Sequence, residues 1–219
     1  MKRLDKEQDL NILFCDNHIL VVDKPGGLLT QPNNSKQSNL EDLSKEWVKK
    51  KYNKKGNIFL HCIHRLDKPV SGIVLFARTS KALSRLNEQS RSQKIKRWYL
   101  AEVEGILKEK SGVLENYLVH GSHKAHVFDK KTEKSKLAIL KYKVLKTKKD
   151  STVVEIELQT GRYHQIRAQF SYIRHPIVGD QKYGSKNELK CIKLCHHKME
   201  FSHPVSKENM SFIKNVSCL

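Results

Sequence analysis

Apolar positions along this 219-residue chain fall into short runs with two different periods, so strands and helices are both written into it. "NILFCDNHILVVDKPGGLLTQP" (11–32) predicts two short strands around a polar turn, closed by a Pro-Gly-Gly break. From Asn39, "NLEDLSKEWVKKKY" sets Leu40, Leu43 and Trp47 at helical spacing. Asn39 stands as the cap, and the lysines sit at the end that tolerates positive charge. "GIVLFAR" (72–78) is an unbroken apolar run of strand length, the pattern of a strand buried on both faces. "SKALSRLNEQS" predicts a short helix with Leu83 and Leu86 on one side, and "KRWYLAEVEG" (96–105) alternates as a strand. "LAILKYKVL" and "TVVEIELQTG" are two further strands of period two. "RYHQIRAQFSYIRHP" (162–176) places Ile166, Phe170 and Ile173 on a helix that Pro176 should stop. The lysine- and histidine-rich stretch from Lys108 to about Lys136 has little period and is expected to be an exposed hairpin or insert. Strands and helices mix without regular βαβ repeats. The expectation is therefore an α+β fold, with a mainly antiparallel or mixed central sheet flanked by helices and loops. No linker, repeat or low-complexity segment divides it, so one domain should span 1–219.

Charge narrows the partner. Lys plus Arg number 42 against 23 Asp plus Glu, a net +19, and a compact fold that carries this much positive charge points to a polyanion. The five cysteines are odd in number and irregularly spaced, unlike a disulfide framework. No apolar segment follows the charged start "MKRLDKEQDLN", and no run approaches the roughly 18 apolar residues of a membrane span. A cytoplasmic protein is the expectation.

Three stretches carry candidate chemistry. In "HRLD" (64–67), Asp67 lies beside Arg65 on a loop just before the buried run, and rigid placement of this kind suits a nucleophile or base. The bland reading is a loop aspartate capping a backbone amide. In "TGRYHQIRAQ" (160–169), Arg162 and Arg167 open a helix, where a cation opposes the dipole. Arg167 therefore needs a reason, either a buried carboxylate or a phosphate. In "KRWYLAEVEG", neighbours on a strand face opposite ways, so one of Trp98 and Tyr99 points at the core. The other is free to offer a ring to a base. "CIKLCHHKMEFSHP" contains Cys191, Cys195, His196, His197 and His203, but lacks two clean ligand pairs. Its strand-like alternation also sends neighbours to opposite faces, so no metal is expected.

Taken in order, these stretches resemble the RluA-type pseudouridine synthases over most of the chain. "NHILVVDKPGGLLTQP" resembles the family's opening strand and turn, "HRLDKPVSGIVLFAR" its catalytic motif and "KRWYLAEVEG" its tyrosine-bearing strand. "GRYHQIRAQFSYIRHPIVGDQKYG" is similar to its third motif, and "LCHHKMEFSHP" to its closing segment. The resemblance implies isomerisation of uridine in RNA to its C-glycoside, without cofactor or metal. Asp67 would be the nucleophile, either adding to the uracil ring or attacking the ribose anomeric carbon. Tyr99 would stack on the base and take part in the late proton transfer, and Arg167 would pair with Asp67. Arg65 would help fill the space left by a flipped-out uridine, flipping being needed because a stacked base hides its glycosidic bond. His64, Arg162, His164 and Gln165 would complete the RNA-facing set. Val70 and Tyr163 stand where many members have threonine, and Cys195 where histidine is frequent, which bears on subfamily and substrate. The first motif begins close to Met1, so the chain is expected to lack a separate N-terminal RNA-binding module. Its partner would be a tRNA or ribosomal RNA stem-loop, met by a monomer, with residues from Val119 to Lys136 as one contact surface. The competing expectation is a catalytically idle relative acting as an RNA chaperone.

Overall fold

The structure, a computed structural model, describes residues 10–33 and 37–215. Cys218 and the first nine residues, read above for a leader, lie outside the described residues. The strands are β1 (Asn11–Cys15), β2 (Ile19–Lys24), β3 (His61–Cys62), β4 (Ser71–Ala77), β5 (Lys96–Glu104), β6 (Ser111–His120), β7 (Ala125–Phe128), β8 (Lys136–Thr147), β9 (Ser151–Leu158), β10 (Leu194–Ser202) and β11 (Asn209–Ile213). They form one sheet in the order β1-β2-β4-β10-β5-β9-β8-β6-β7, with β3 added to β4 and β11 to β10. Pairing is antiparallel except between β4 and β10. With helices α1 (Leu40–Lys51), α2 (Ser80–Arg91) and α3 (Gln165–Tyr172), the fold is α+β around a mixed sheet, as the sequence patterning predicts. None of these helices is long and apolar enough to cross a membrane.

The two faces of the sheet explain the two kinds of strand pattern. Leu20, Val22, Val74 and Phe76 enter a core with Leu40 and Val48 of α1 and Ile166 and Phe170 of α3. Their neighbours Ile19, Val21, Ile73, Leu75 and Ala77 enter a second core with Ala82 and Leu86 of α2. Every residue from Gly72 to Ala77 is buried because each has a core to enter, and each large aliphatic contributes about 1.5–3 kcal/mol. At the far end only one face is covered: Ala138, Leu140 and Tyr142 of β8 are buried while Lys141 and Lys143 are exposed. The stretch from Lys108 to Lys136 is a β6–β7 hairpin, and β6 pairs with β8 from Ser111↔Lys143 to Leu118↔Lys136. It belongs to the main sheet and is not an insert.

Local signals set the helix ends. The Asn39 side chain accepts the Asp42 N–H at 2.9 Å, the expected cap of α1. α3 begins at Gln165, later than its periodicity suggested, because His164 sits in the left-handed region at φ 53°. Arg162 is thereby left in the preceding turn. The helix ends at Tyr172, short of Pro176, and Arg174 at φ 66° turns the chain away before the proline is reached. β11 carried no legible signal, since its residues alternate only between exposed and half-buried.

The parallel pairing of β4 and β10 depends on Gly72, which has φ 121° and stands opposite His196. A Cβ there would lie 2.3 Å from the His196 carbonyl oxygen. His196 is fully buried, with Nδ1 2.6 Å from the Ile73 carbonyl, and burial lowers its pKa to about 3. Burial lowers His64, His164 and His197 as well.

Gly72→Ala should cost roughly 2–4 kcal/mol, read from the urea midpoint, because it both strains the backbone and pushes β10 away. A midpoint equal to that of the parent chain would refute this account of the pairing. Stability should also depend on pH through the four depressed histidines. The unfolded chain gains their protons near pH 6.5 while the folded chain does not, so stability is highest above about pH 6.5 and falls as pH drops toward 4. Urea midpoints measured at about pH 7.5 and pH 5 test this, the upper part of the window lying above carboxylate titration.

Candidate active site

The loop between β3 and β4 carries "HRLD", and the first motif clamps it. Leu66 is buried, its N–H donating to Thr30 Oγ1 at 3.1 Å while that hydroxyl donates to the Leu66 carbonyl at 2.7 Å. Gly27 N–H and Lys24 Nζ both donate to the Lys68 carbonyl, at 2.8 and 3.2 Å. Lys24 is fully buried and also donates to the carbonyls of Pro25 at 3.0 Å and Leu28 at 2.7 Å. Desolvation lowers its pKa to about 8, with Asp67 acting in the opposite direction. The Pro-Gly-Gly break thus folds back over Lys24 and fixes the backbone on both sides of Asp67. The Val70 N–H closes the turn on the Asp67 carbonyl at 3.0 Å.

Arg167, in the first turn of α3, reaches Asp67 from beneath. Its Nη1 donates to Asp67 Oδ2 at 2.8 Å. Nε and Nη2 form a fork on Asp180, at 2.6 Å to Oδ2 and 2.9 Å to Oδ1. The Arg167 and Asp180 side chains are 5% and 2% exposed, while Asp67 retains 27%, so the carboxylate facing the solvent is Asp67. Burial opposes the guanidinium's charge, but Asp180 first and Asp67 second outweigh it and raise its pKa. The cation that looked misplaced near a helix N-terminus has two carboxylates to hold it there.

These groups open onto a cleft of about 1460 Å³. Arg65, Lys68, Arg97, Arg162, Lys182 and Lys190 line it, against Glu41, Asp67 and Asp180. Tyr99 also lines it and is 5% exposed. Its ring stacks on His196 at 4.6 Å between centroids and 21° between planes, so one face is already covered. Burial raises the Tyr99 phenol to about 12. Trp98 is half-buried, with Lys198 Nζ 4.5 Å from its ring centre.

The remaining residues singled out from sequence divide between surface and scaffold. Arg65 and Arg162 are exposed on the cleft wall, and Arg162 Nε donates to the Leu137 carbonyl at 2.8 Å. His64 is half-buried, with Nε2 3.4 Å from the Leu75 N–H. Gln165 is buried with both amide atoms occupied: Oε1 accepts from Thr160 Oγ1 at 2.8 Å and Arg162 N–H at 3.0 Å, and Nε2 donates to the Ile139 carbonyl at 3.1 Å. It braces the turn before α3, with one Nε2 hydrogen not engaged in these bonds. His164 is buried too, 3.4 Å from Asp67 Oδ2. The Cys–His stretch is dispersed over separate partners. His196 bonds Ile73, His197 lies 3.2 Å from Glu155, and His203 lies 2.9 Å from Asp16. Among the described residues, no group of three or more His, Cys, Asp or Glu is placed to hold a metal ion. Cys15, Cys62, Cys191 and Cys195 are free thiols.

Sequence reasoning missed Lys24, Thr30, Asp180 and Tyr183. Lys24 alone left a usable signal, a lysine ending an apolar run where burial is expected. Asp180 and Tyr183 look like ordinary turn residues in "GDQKYG", because their partners lie far away in the chain.

Comparison with known proteins identifies the family. Residues 18–172 match the family model described as RNA pseudouridylate synthase. The chain is 33% identical over 206 residues to the uncharacterized RNA pseudouridine synthase YhcT of Bacillus subtilis, aligning 91% of this chain with 66% of that protein, just under two thirds of its length. It is 34% identical over 208 residues to the dual-specificity RNA pseudouridine synthase RluA of Pasteurella multocida, covering 93% of this chain and 91% of that one. In fold it is similar to the solved structure of human RNA pseudouridylate synthase domain containing 4, with a TM-score of 0.79 at 21% identity over 94% of this chain and 88% of that one. With its aspartate loop, buried arginine and strand-borne tyrosine brought to one cleft, the chain belongs to the RNA pseudouridylate synthase family.

Proposed function

We propose that this protein converts uridine to pseudouridine in tRNA or ribosomal RNA stem-loops, with Asp67 as the nucleophile. One observation carries the reading: a partly exposed carboxylate is aimed into a basic cleft by a buried arginine that is itself locked by a second carboxylate. A nucleophile has to be held, and the Arg167 guanidinium, donating to Oδ2, fixes the direction of the Asp67 carboxylate.

The reaction conserves atoms and electrons. The N1–C1′ bond breaks, the base turns, and C5 bonds to C1′; the hydrogen on C5 leaves as a proton and N1 gains one. Asp67 serves by adding to the uracil ring or to C1′, and each route needs the base out of its stack. An open cleft of this size has room for a flipped nucleotide and its neighbours. Tyr99 contributes as a neutral phenol, because burial keeps its anion scarce near neutral pH. With His196 stacked on one face, a base that meets the Tyr99 ring would lie against the opposite face. Arg65 and Arg162, exposed at the rim, supply charge for phosphates, in keeping with the net +19. The dual-specificity name of the Pasteurella relative supports a choice between more than one RNA site.

Tritium release from RNA labelled at uracil C5 tests the reaction, since forming the C5–C1′ bond must expel that hydrogen. The parent chain should release tritium from total tRNA or ribosomal RNA. Asp67→Ala should release none while binding RNA within about threefold of the parent, a carboxylate contributing little to phosphate affinity. Binding without release by the parent chain would instead favour the chaperone. RNA affinity should also fall by on the order of 10³ between about 50 and 200 mM salt, the loss expected for about six neutralised phosphates. An affinity that hardly changed would leave the charge without a role in binding.

A further inference from the structure

Building on the reading of Asp67 as nucleophile, we infer that His164 is a positioning residue for Asp67. Tyr183 fixes it as the Nε2–H tautomer, and that N–H tethers the same carboxylate oxygen that Arg167 holds, leaving Oδ1 as the attacking atom.

Donor and acceptor counting decides the tautomer. Tyr183 lies in the short 3-10 turn Gln181–Tyr183 and is 7% exposed. Its hydroxyl accepts the Ala125 N–H at 2.8 Å and lies 2.9 Å from His164 Nδ1. A phenol has one proton to give. If Nδ1 also carried a proton, the oxygen would face two donors while its own hydrogen, in a buried site, had no acceptor among the described residues. The phenol proton therefore goes to Nδ1, and the ring's own proton is on Nε2. The opposite end of the ring gives the same answer. Nε2 stands 3.4 Å from Asp67 Oδ2, where a lone pair would be repelled by the carboxylate and an N–H attracted.

The ring has little freedom to do otherwise. Tyr163 stacks on it at 3.8 Å between centroids and 19° between planes, and the Tyr183 ring meets it edge-on at 5.5 Å. The left-handed backbone at His164, uncommon outside glycine, aims it there. Burial keeps it neutral, with a pKa lowered to about 4 against the pull of Asp67. Oδ2 thus faces two donors, Arg167 Nη1 and His164 Nε2, whereas no described residue donates to Oδ1. A spacing of 3.4 Å is long for a hydrogen bond, and catalytic hydrogen bonds tighten when substrate fills the cleft. Because Ala125 opens β7, the relay also ties the β6–β7 hairpin to the nucleophile through two side chains.

The test combines a spectrum with kinetics. In protein labelled with ¹⁵N-histidine, the His164 ring, assigned by its loss in His164→Gln, should show the Nε2–H pattern; in Tyr183→Phe it should become a mixture. Tyr183→Phe should lower kcat about tenfold with KM and RNA affinity within about threefold, the size expected for one hydrogen bond to a charged group. His164→Gln, which keeps a donor near the Nε2 position, should retain at least about tenfold more activity than His164→Leu, an advantage that mere space-filling would not give. An Nδ1–H pattern in the parent chain, an unchanged kcat in Tyr183→Phe, or equal activity of the Gln and Leu variants would overturn the tether. Absence of tritium release by the parent chain would instead overturn the pseudouridine reading, and the spectrum would still judge the tether.

Discussion

Everything at this site rests on one buried cation between two carboxylates. Arg167 lies under the cleft with Asp180 taking two of its donors and Asp67 a third. A guanidinium out of water is tolerable only when its donors are occupied and its charge is matched. Asp180, its side chain only 2% exposed, meets most of that need, so Asp67 can remain 27% exposed without leaving the arginine unpaired. A lone Arg–Asp pair would have to choose between burial, which stabilises the geometry, and exposure, which permits chemistry. The three-residue arrangement separates the two demands.

The backbone around Asp67 is held with comparable economy. Lys24 brings a charge into the fully buried interior, where it donates to three carbonyl oxygens. That burial is unfavourable enough to lower its pKa to about 8. What it provides is a fixed Lys68 carbonyl, one residue past the proposed nucleophile. Thr30 does the same one residue before it, with both its donor and its acceptor on Leu66. The opening motif therefore reads as the clamp of the loop that carries Asp67. This explains why the two motifs, separated by helix α1, act together.

Positive charge in this protein has two different roles. Arg167 and Lys24 are interior, each making three hydrogen bonds, and their work is geometry. Arg65 and Arg162 stand exposed on the wall of the cleft, where cations attract a polyanion at long range and are screened by salt. Composition alone counts all of them alike in the net +19. Only burial separates the arginine that aims a carboxylate from the arginines that stand open to solvent on the cleft wall.

The sequence alone determined the parts that depend on neighbours in the chain. The doubly buried strand at Gly72–Ala77, the Asn39 cap and the one-sided alternation of β8 follow from periods of two and 3.6 and from short-range hydrogen bonds. The suspicion attached to Arg167 was legible for the same reason, because a cation early in a helix conflicts with the dipole of its own helix. The tertiary structure alone decided what that conflict was for. Asp67 meets Arg167 across 100 positions and Lys24 meets Lys68 across 44, separations at which no periodicity carries information. It also decided that Gln165 is a brace, that His164 lies under the site, and that the histidines of β10 go to separate partners. Residue types that bind RNA on a surface serve equally well as internal hydrogen-bonding groups, and which role each takes is fixed by burial, a property of the packed chain.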